Sequence, residues 1–331
     1  MYEFEIVEDG QNVIKNMINY YAKGTLQITK YDSNNKTLAN VKFEITDKEG
    51  NVVDTIVTNE QGKAESKKLP IGTYYYQEIE ATDNVVIDTN KYEFSLSQDN
   101  QVVQKTIVNK IKEGKLKIIK VDENNEPLEG VTFNIYNEDK TLVDTIVTNK
   151  DGIAQSKELE KGKYYYQEVS APEGIVVDDT MYEFEIVEDG QNVIKNMINY
   201  YIKGELKIYK LSEGDNKPLA NAKFNIYDEQ RNIVDTIVTD GNGVAVSKKL
   251  MYGTYYYQEI EAPDGYILDN AEYKFNIDQE KEQIAVVYNK KQELPKTGGS
   301  ISSDMQIILL VSAFSILGYA LVNVLKKKEQ Y

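Results

Sequence analysis

Three lysines fall where a strand should carry an apolar side chain. Leu26, Ile28 and Lys30 share one face of a period-two run; so do Leu116, Ile118 and Lys120, and so do Leu206, Ile208 and Lys210. If Leu and Ile face a core, the lysine faces it too. A buried ammonium is costly unless it is paired, neutralised or reacted away. A glutamate follows each lysine after 48, 48 and 49 residues (Glu78, Glu168, Glu259), and an asparagine follows each glutamate after 31, 31 and 30 (Asn109, Asn199, Asn289). The strands ending on these asparagines read VQKTIVN, VIKNMIN and QIAVVYN. Asn is a poor strand residue, so its persistence where the rest drifts is informative.

Lysine, glutamate and asparagine in one core allow a specific reaction. A desolvated lysine loses its proton and becomes a nucleophile. A desolvated carboxylic acid can hydrogen-bond the asparagine side-chain carbonyl and polarise it. Attack on that carbonyl and loss of ammonia leave an amide between the two side chains, with glutamate shuttling protons. The reaction is intramolecular and single-turnover, so orientation supplies much of its rate. The bland alternative is a buried Lys–Glu salt bridge capped by Asn, with no covalent bond.

The elements that must hold these residues repeat along the chain. Val53 to Thr58 (VDTIVT) returns at Val143 to Thr148 and at Val234 to Thr239, and the run YYYQE at Tyr74, Tyr164 and Tyr255. The period is 90 residues, with a one-residue insertion after Lys210 cancelled before Asn289. Three repeats are expected at 22–110, 112–200 and 202–290. Residues 1–21 are identical to 181–201 and read as the C-terminal fragment of a truncated fourth repeat, with no secretory signal before it. Short period-two runs, such as Val131, Phe133 and Ile135 against Thr132, Asn134 and Tyr136, alternate with turn signals at Asn124 to Pro127, Asn149 to Gly152 and Pro172 to Gly174. Strands about every ten residues predict an all-β chain of tandem sandwiches.

Composition removes several function classes. The chain has no Cys, His or Trp, which excludes disulfides, Ser-His or Cys-His nucleophile pairs and the usual zinc sites. A net charge of −16 argues against nucleic acid and anionic lipid as partners. The Asp122-Glu123-Asn124-Asn125 run lacks calcium-loop spacing and reads as a solvated turn. No metal or cofactor is expected, and no enzymatic activity beyond the self-crosslinking step. The tyrosine triplets read as strand packing rather than a sugar platform.

Each repeat resembles the Cna-B type of domain (SpaA-like, prealbumin-like) of Gram-positive adhesins and pilins. The resemblance rests on LKIIK ending at Lys120, on Pro127-Leu128-Glu129-Gly130-Val131-Thr132-Phe133, on YYYQEVSAPEG around Glu168, and on the closing Asn199. It covers nearly all of 22–290. It implies the Lys–Asn isopeptide bond just described, promoted by the glutamate. The third repeat fits best, with EIEAPDGY from Glu259. The first departs, because Ala81-Thr82-Asp83-Asn84 lacks the Pro and Gly and puts its turn in question.

The C-terminus carries a second resemblance. Leu294, Pro295, Lys296, Thr297 and Gly298 precede a polar spacer, an uncharged stretch at 305–325, and a basic tail at 326–331. Twenty-one residues at ~1.5 Å each match a ~30 Å hydrocarbon core, which predicts one transmembrane helix with its lysine end in the cytoplasm. This order resembles the LPxTG cell-wall sorting signal. That family implies a sortase that cuts between Thr297 and Gly298 and joins Thr297 to the peptidoglycan cross-bridge, with the membrane a partner only before sorting.

The expected protein is therefore a secreted, wall-anchored stalk of a surface adhesin, with a host matrix protein or other pilin subunits as further partners. A sortase-polymerised pilin is the alternative, although no Tyr-Pro-Lys-Asn donor motif occurs; the anchor region of a surface enzyme is a lesser one. Changing Thr297 to Ala should leave the protein with the membrane and out of the muramidase-released wall fraction. Covalent attachment of that variant to peptidoglycan fragments would refute the sorting assignment.

Overall fold

The computed structural model describes residues 2–293. The sorting motif, the 305–325 span and the basic tail lie outside these residues. Among the described residues, no helix is long and apolar enough to cross a membrane.

Three β-sandwiches follow one another, each built from eight strands. In the first they are β1 (Lys23–Asp32), β2 (Lys42–Thr46), β3 (Val52–Val57), β4 (Lys63–Glu65), β5 (Leu69–Pro70), β6 (Gly72–Glu80), β7 (Lys91–Leu96) and β8 (Val102–Asn109). One sheet is antiparallel in the order β3-β2-β6-β7. In the other, β1 pairs with β4 and β5 along one edge and runs parallel to β8 along the other. The second and third repeats reproduce both sheets.

Alternation places the core. Leu116, Ile118 and Lys120 are buried on one face of Glu113–Asp122, while Lys117 and Ile119 are only partly covered. Val131, Phe133 and Ile135 meet them from the opposite sheet. Of each tyrosine triplet the middle ring points outward, and in the first two repeats the outer two are buried. The Tyr74 hydroxyl donates to Pro70 O at 2.8 Å, which satisfies the polar end of a ring otherwise spent on packing.

A glycine turn fixes the backbone of each critical lysine. Lys120 N–H donates to Gly152 O at 2.8 Å, and Lys30 and Lys210 do the same to Gly62 and Gly243 at 2.7 Å. Gly152 has φ +70, and a Cβ there would collide with Lys120 O. The position therefore demands glycine twice over, for its φ and for its bareness.

The turn questioned in the first repeat closes like the others. Val85 N–H reaches Thr82 O at 3.2 Å, as Ile175 N–H reaches Pro172 O at 3.2 Å. The residue replacing Glu173 there, Asp83, pairs with Lys161 of the next repeat and lies 3.7 Å from Lys112.

Residues 2–21 form no strand, and Tyr2, Phe4, Ile14 and Tyr20 are exposed. The identical residues in the second repeat form the strands Met181–Ile186 and Gln191–Asn199.

Two outcomes are expected. Limited proteolysis should remove 1–21 well before it cuts 22–290; strong protection of 1–21 in the monomer would contradict the fold described. Gly152→Ala should destabilise the second repeat by about 2–4 kcal/mol, through strain and a backbone clash, with the other repeats' calorimetric transitions unchanged.

Candidate functional site

The parallel pairing of β1 with β8 decides where lysine and asparagine meet. Lys30 pairs in register with Ile107, and Asp32 with Asn109. The asparagine thus lies at the same end of the sheet as the lysine, two positions beyond it along the ladder. The lysine side chain points inward, across the core, to β2 and β6. Glu78 sits on β6 beside Phe43 of β2, where a register shift between Lys42 and Phe43 interrupts the ladder.

All nine residues singled out in the sequence converge in three sites. In the first, Lys30 Nζ lies 2.8 Å from Glu78 Oε2 and donates to Asn109 Oδ1 at 2.5 Å. Asn109 Nδ2 donates to Glu78 Oε1 at 2.5 Å, closing a ring of three side chains. In the second, Lys120 Nζ is 2.8 Å from Glu168 Oε2, and Asn199 Nδ2 donates to Glu168 Oε1 at 2.5 Å. Neither Lys120 Nζ nor Asn199 Oδ1 has a hydrogen bond of good geometry there, so that ion pair is held by distance rather than direction. In the third, Glu259 Oε1 serves both Lys210, at 3.1 Å, and Asn289, at 2.9 Å. Its Oε2 accepts the main-chain N–H of Asp269 at 3.0 Å.

The sites are dry. All three lysines are 0% exposed, and their glutamate and asparagine partners 1–2%. Burial pushes the Lys30 and Lys210 ammonium groups below the usual lysine value, against the opposing bonds from Glu78 and Glu259. This is the direction a nucleophilic amine requires. Removing one partner of such a pair leaves an uncompensated charge and costs about 3–5 kcal/mol.

A phenylalanine floors each site and was not singled out for this role in the sequence. Lys30, Lys120 and Lys210 Nζ stand 5.9, 5.7 and 5.4 Å from the ring centres of Phe43, Phe133 and Phe224. Its signal was available: a phenylalanine recurs at one place in every repeat. The ring offers its face to the cation without offering water.

A family model for the SpaA domain, described as having a prealbumin-like fold, matches residues 24–111, 114–201 and 204–292. The chain belongs to the SpaA family. Its SpaA domains resemble the TIE protein of Bacillus anthracis, with a TM-score of 0.69 and 32% identity, over 81% of this chain and 51% of that one. A collagen adhesin of Staphylococcus aureus is 39% identical over 83 residues, which are 23% of this chain and 7% of the adhesin. Serine-aspartate repeat-containing protein D of Staphylococcus aureus (strain Newman) is 23% identical over 284 residues, 71% of this chain and 21% of that protein. The chain therefore spans only a small part of these two relatives.

The Asp122 turn has a structural use. Asp122 Oδ1 accepts the N–H groups of Asn124 and Glu126 at 2.8 and 2.9 Å, and Oδ2 accepts the Tyr201 hydroxyl at 2.5 Å. Its carboxyl is held below the usual aspartate range, chiefly by the tyrosine bond.

Proposed function

We propose that the chain is the stalk of a wall-anchored Gram-positive surface protein, with each repeat closed by an amide between its lysine and asparagine. The observation that carries this reading is the three-fold recurrence of a dry Lys-Glu-Asn cluster, closed by a Lys–Asn hydrogen bond of 2.5 Å in the first and third repeats. Three lysines without solvent contact, each beside a carboxylate and a primary amide, are an expensive way to build a core if they only pair.

The proton count closes. Each lysine ammonium brings three protons. One remains on the new amide nitrogen, one passes to the glutamate, and one leaves with the asparagine nitrogen as ammonia. The bond formed joins lysine Nζ to asparagine Cγ, and the bond broken is Cγ–Nδ2. The positive lysine and negative glutamate vanish together, so the buried site ends uncharged. Phenylalanine excludes water that would otherwise solvate the amine.

The strand geometry gives the amide a mechanical task. Tension enters a repeat at the start of β1 and leaves beyond the end of β8. With Lys30 joined to Asn109, load passes up β1, across the crosslink and out. The intervening residues, roughly 270 Å when extended, stay unloaded. By the loop-entropy estimate used for disulfides, a crosslink of this span stabilises by ~4.5 kcal/mol.

Sortase and the peptidoglycan cross-bridge are the partners implied by Leu294 to Gly298, and the cell surface is the implied location. Kinship to a collagen adhesin suggests a host matrix protein as a partner of the whole molecule.

Intact-mass measurement of residues 22–290 should show three losses of about 17 Da, with linked peptides Lys30–Asn109, Lys120–Asn199 and Lys210–Asn289. Glu168→Ala should restore one ammonia mass and lower the melting temperature of the second repeat. The full calculated mass in the unmutated protein would reduce the rings to buried polar clusters.

A further inference from the structure

A second constellation accompanies every ring. Ten residues after each glutamate stands an aspartate, Asp88, Asp178 or Asp269, and four residues later a tyrosine, Tyr92, Tyr182 or Tyr273. The three residues between them are TNK, DTM and NAE, so the spacing persists while its filling changes. The tyrosine hydroxyl donates to the aspartate Oδ2 at 2.6, 2.8 and 2.7 Å. Its ring stacks, at 5.5, 5.4 and 5.3 Å, on the tyrosine two residues before the glutamate.

These pairs fasten the segment that joins β6 to β7, and the same holds for its counterparts. At one end, Val86 N–H donates to Lys110 O at 2.8 Å, beside the reactive Asn109. Val176 and Ile267 make the same bond to Tyr200 and Lys290, each at 2.9 Å. At the other end, Gln77, beside Glu78, donates through Nε2 to Thr89 O at 2.6 Å. Gln167 and Gln258 do likewise at 2.7 Å. The segment therefore bridges the neighbour of the glutamate to the neighbour of the asparagine. In the third repeat it touches the ring itself, through Asp269 N–H and Glu259 Oε2.

We propose that Asp88, Asp178 and Asp269, each with its tyrosine, are positioning residues for crosslinking, fastening a strap that sets glutamate against asparagine. This rests on the crosslinking reading above. The tyrosines are 40%, 37% and 40% exposed, so the hydroxyl bond lies at the rim and is not needed to fill the core. Its use is geometric: an intramolecular acyl transfer is sensitive to small misplacements of its groups. An asparagine in place of the aspartate keeps an acceptor oxygen for the tyrosine, whereas alanine does not.

The test follows crosslinking in the full chain after a short pulse of cell-free synthesis, by intact mass and by the Lys120–Asn199 linked peptide. Repeats 1 and 3 serve as internal clocks. Tyr182→Phe and Asp178→Ala should slow the second repeat about tenfold, the equivalent of one hydrogen bond, while Asp178→Asn stays within about twofold. In a Glu168→Ala background, where no crosslink forms there, Tyr182→Phe should leave the melting temperature within a few degrees. Wild-type rates in Tyr182→Phe and Asp178→Ala would overturn the inference. So would Asp178→Asn as slow as Asp178→Ala, or unfolding of Tyr182→Phe in the uncrosslinked background. Absence of ammonia loss in the unmutated chain would instead overturn the crosslinking reading itself.

Discussion

An ammonium group sealed from water dictates much of this molecule. Lys30, Lys120 and Lys210 have no exposed surface, so each needs a counter-charge delivered from within the core. Only the facing sheet can supply it. The glutamate must therefore end an inner-face position of β6, at the level of the lysine on β1. In each repeat the register shift in β2 or its counterpart falls beside that glutamate.

The asparagine completes the arrangement by a different route. It arrives on a strand that runs parallel to the lysine strand, which needs a long connection between them. In each repeat that connection is nearly the whole domain. The two side chains are thus among the most distant pairs in the repeat's sequence and among the closest in space. A covalent bond between such residues closes the largest loop the domain offers, and in the parallel geometry it lies across the path of tension. The proposed crosslink, its stabilisation and its mechanical role all rest on one contact, which one strand pairing sets.

The repeats are alike inside and different at their joints. The buried Lys-Glu-Asn clusters, the glycine clamps and the phenylalanine floors recur in all three, although the second lacks the Lys–Asn hydrogen bond. Between the first and second repeats the contacts are ionic, with Lys110 at 2.8 Å from Asp189 and Asp83 paired to Lys161. Between the second and third, Lys203 lies 2.6 Å from Glu123, and Gly174 packs against the ring of Tyr252, leaving little room for a side chain.

Much of this was legible in the sequence. Period-two burial named the inward lysines, and the 90-residue repeat named their partners, because alternation and recurrence are properties of the chain itself. The turn at Gly152 could be read from its Asn-Lys-Asp-Gly signal. The sequence was silent on the parallel pairing, which brings Asn109 to the lysine's end of the sheet, since strand partners are chosen by long-range packing. It was silent on the strap as well, since the stacking of Tyr182 on Tyr166 shows only when two strands lie side by side. The plainest case is the duplicated segment. Residues 181–201 form two strands, whereas the same letters at 2–21 form none. Local propensity is identical in both places; what differs is a neighbouring strand to complete the backbone hydrogen bonds and a second sheet to cover the apolar face.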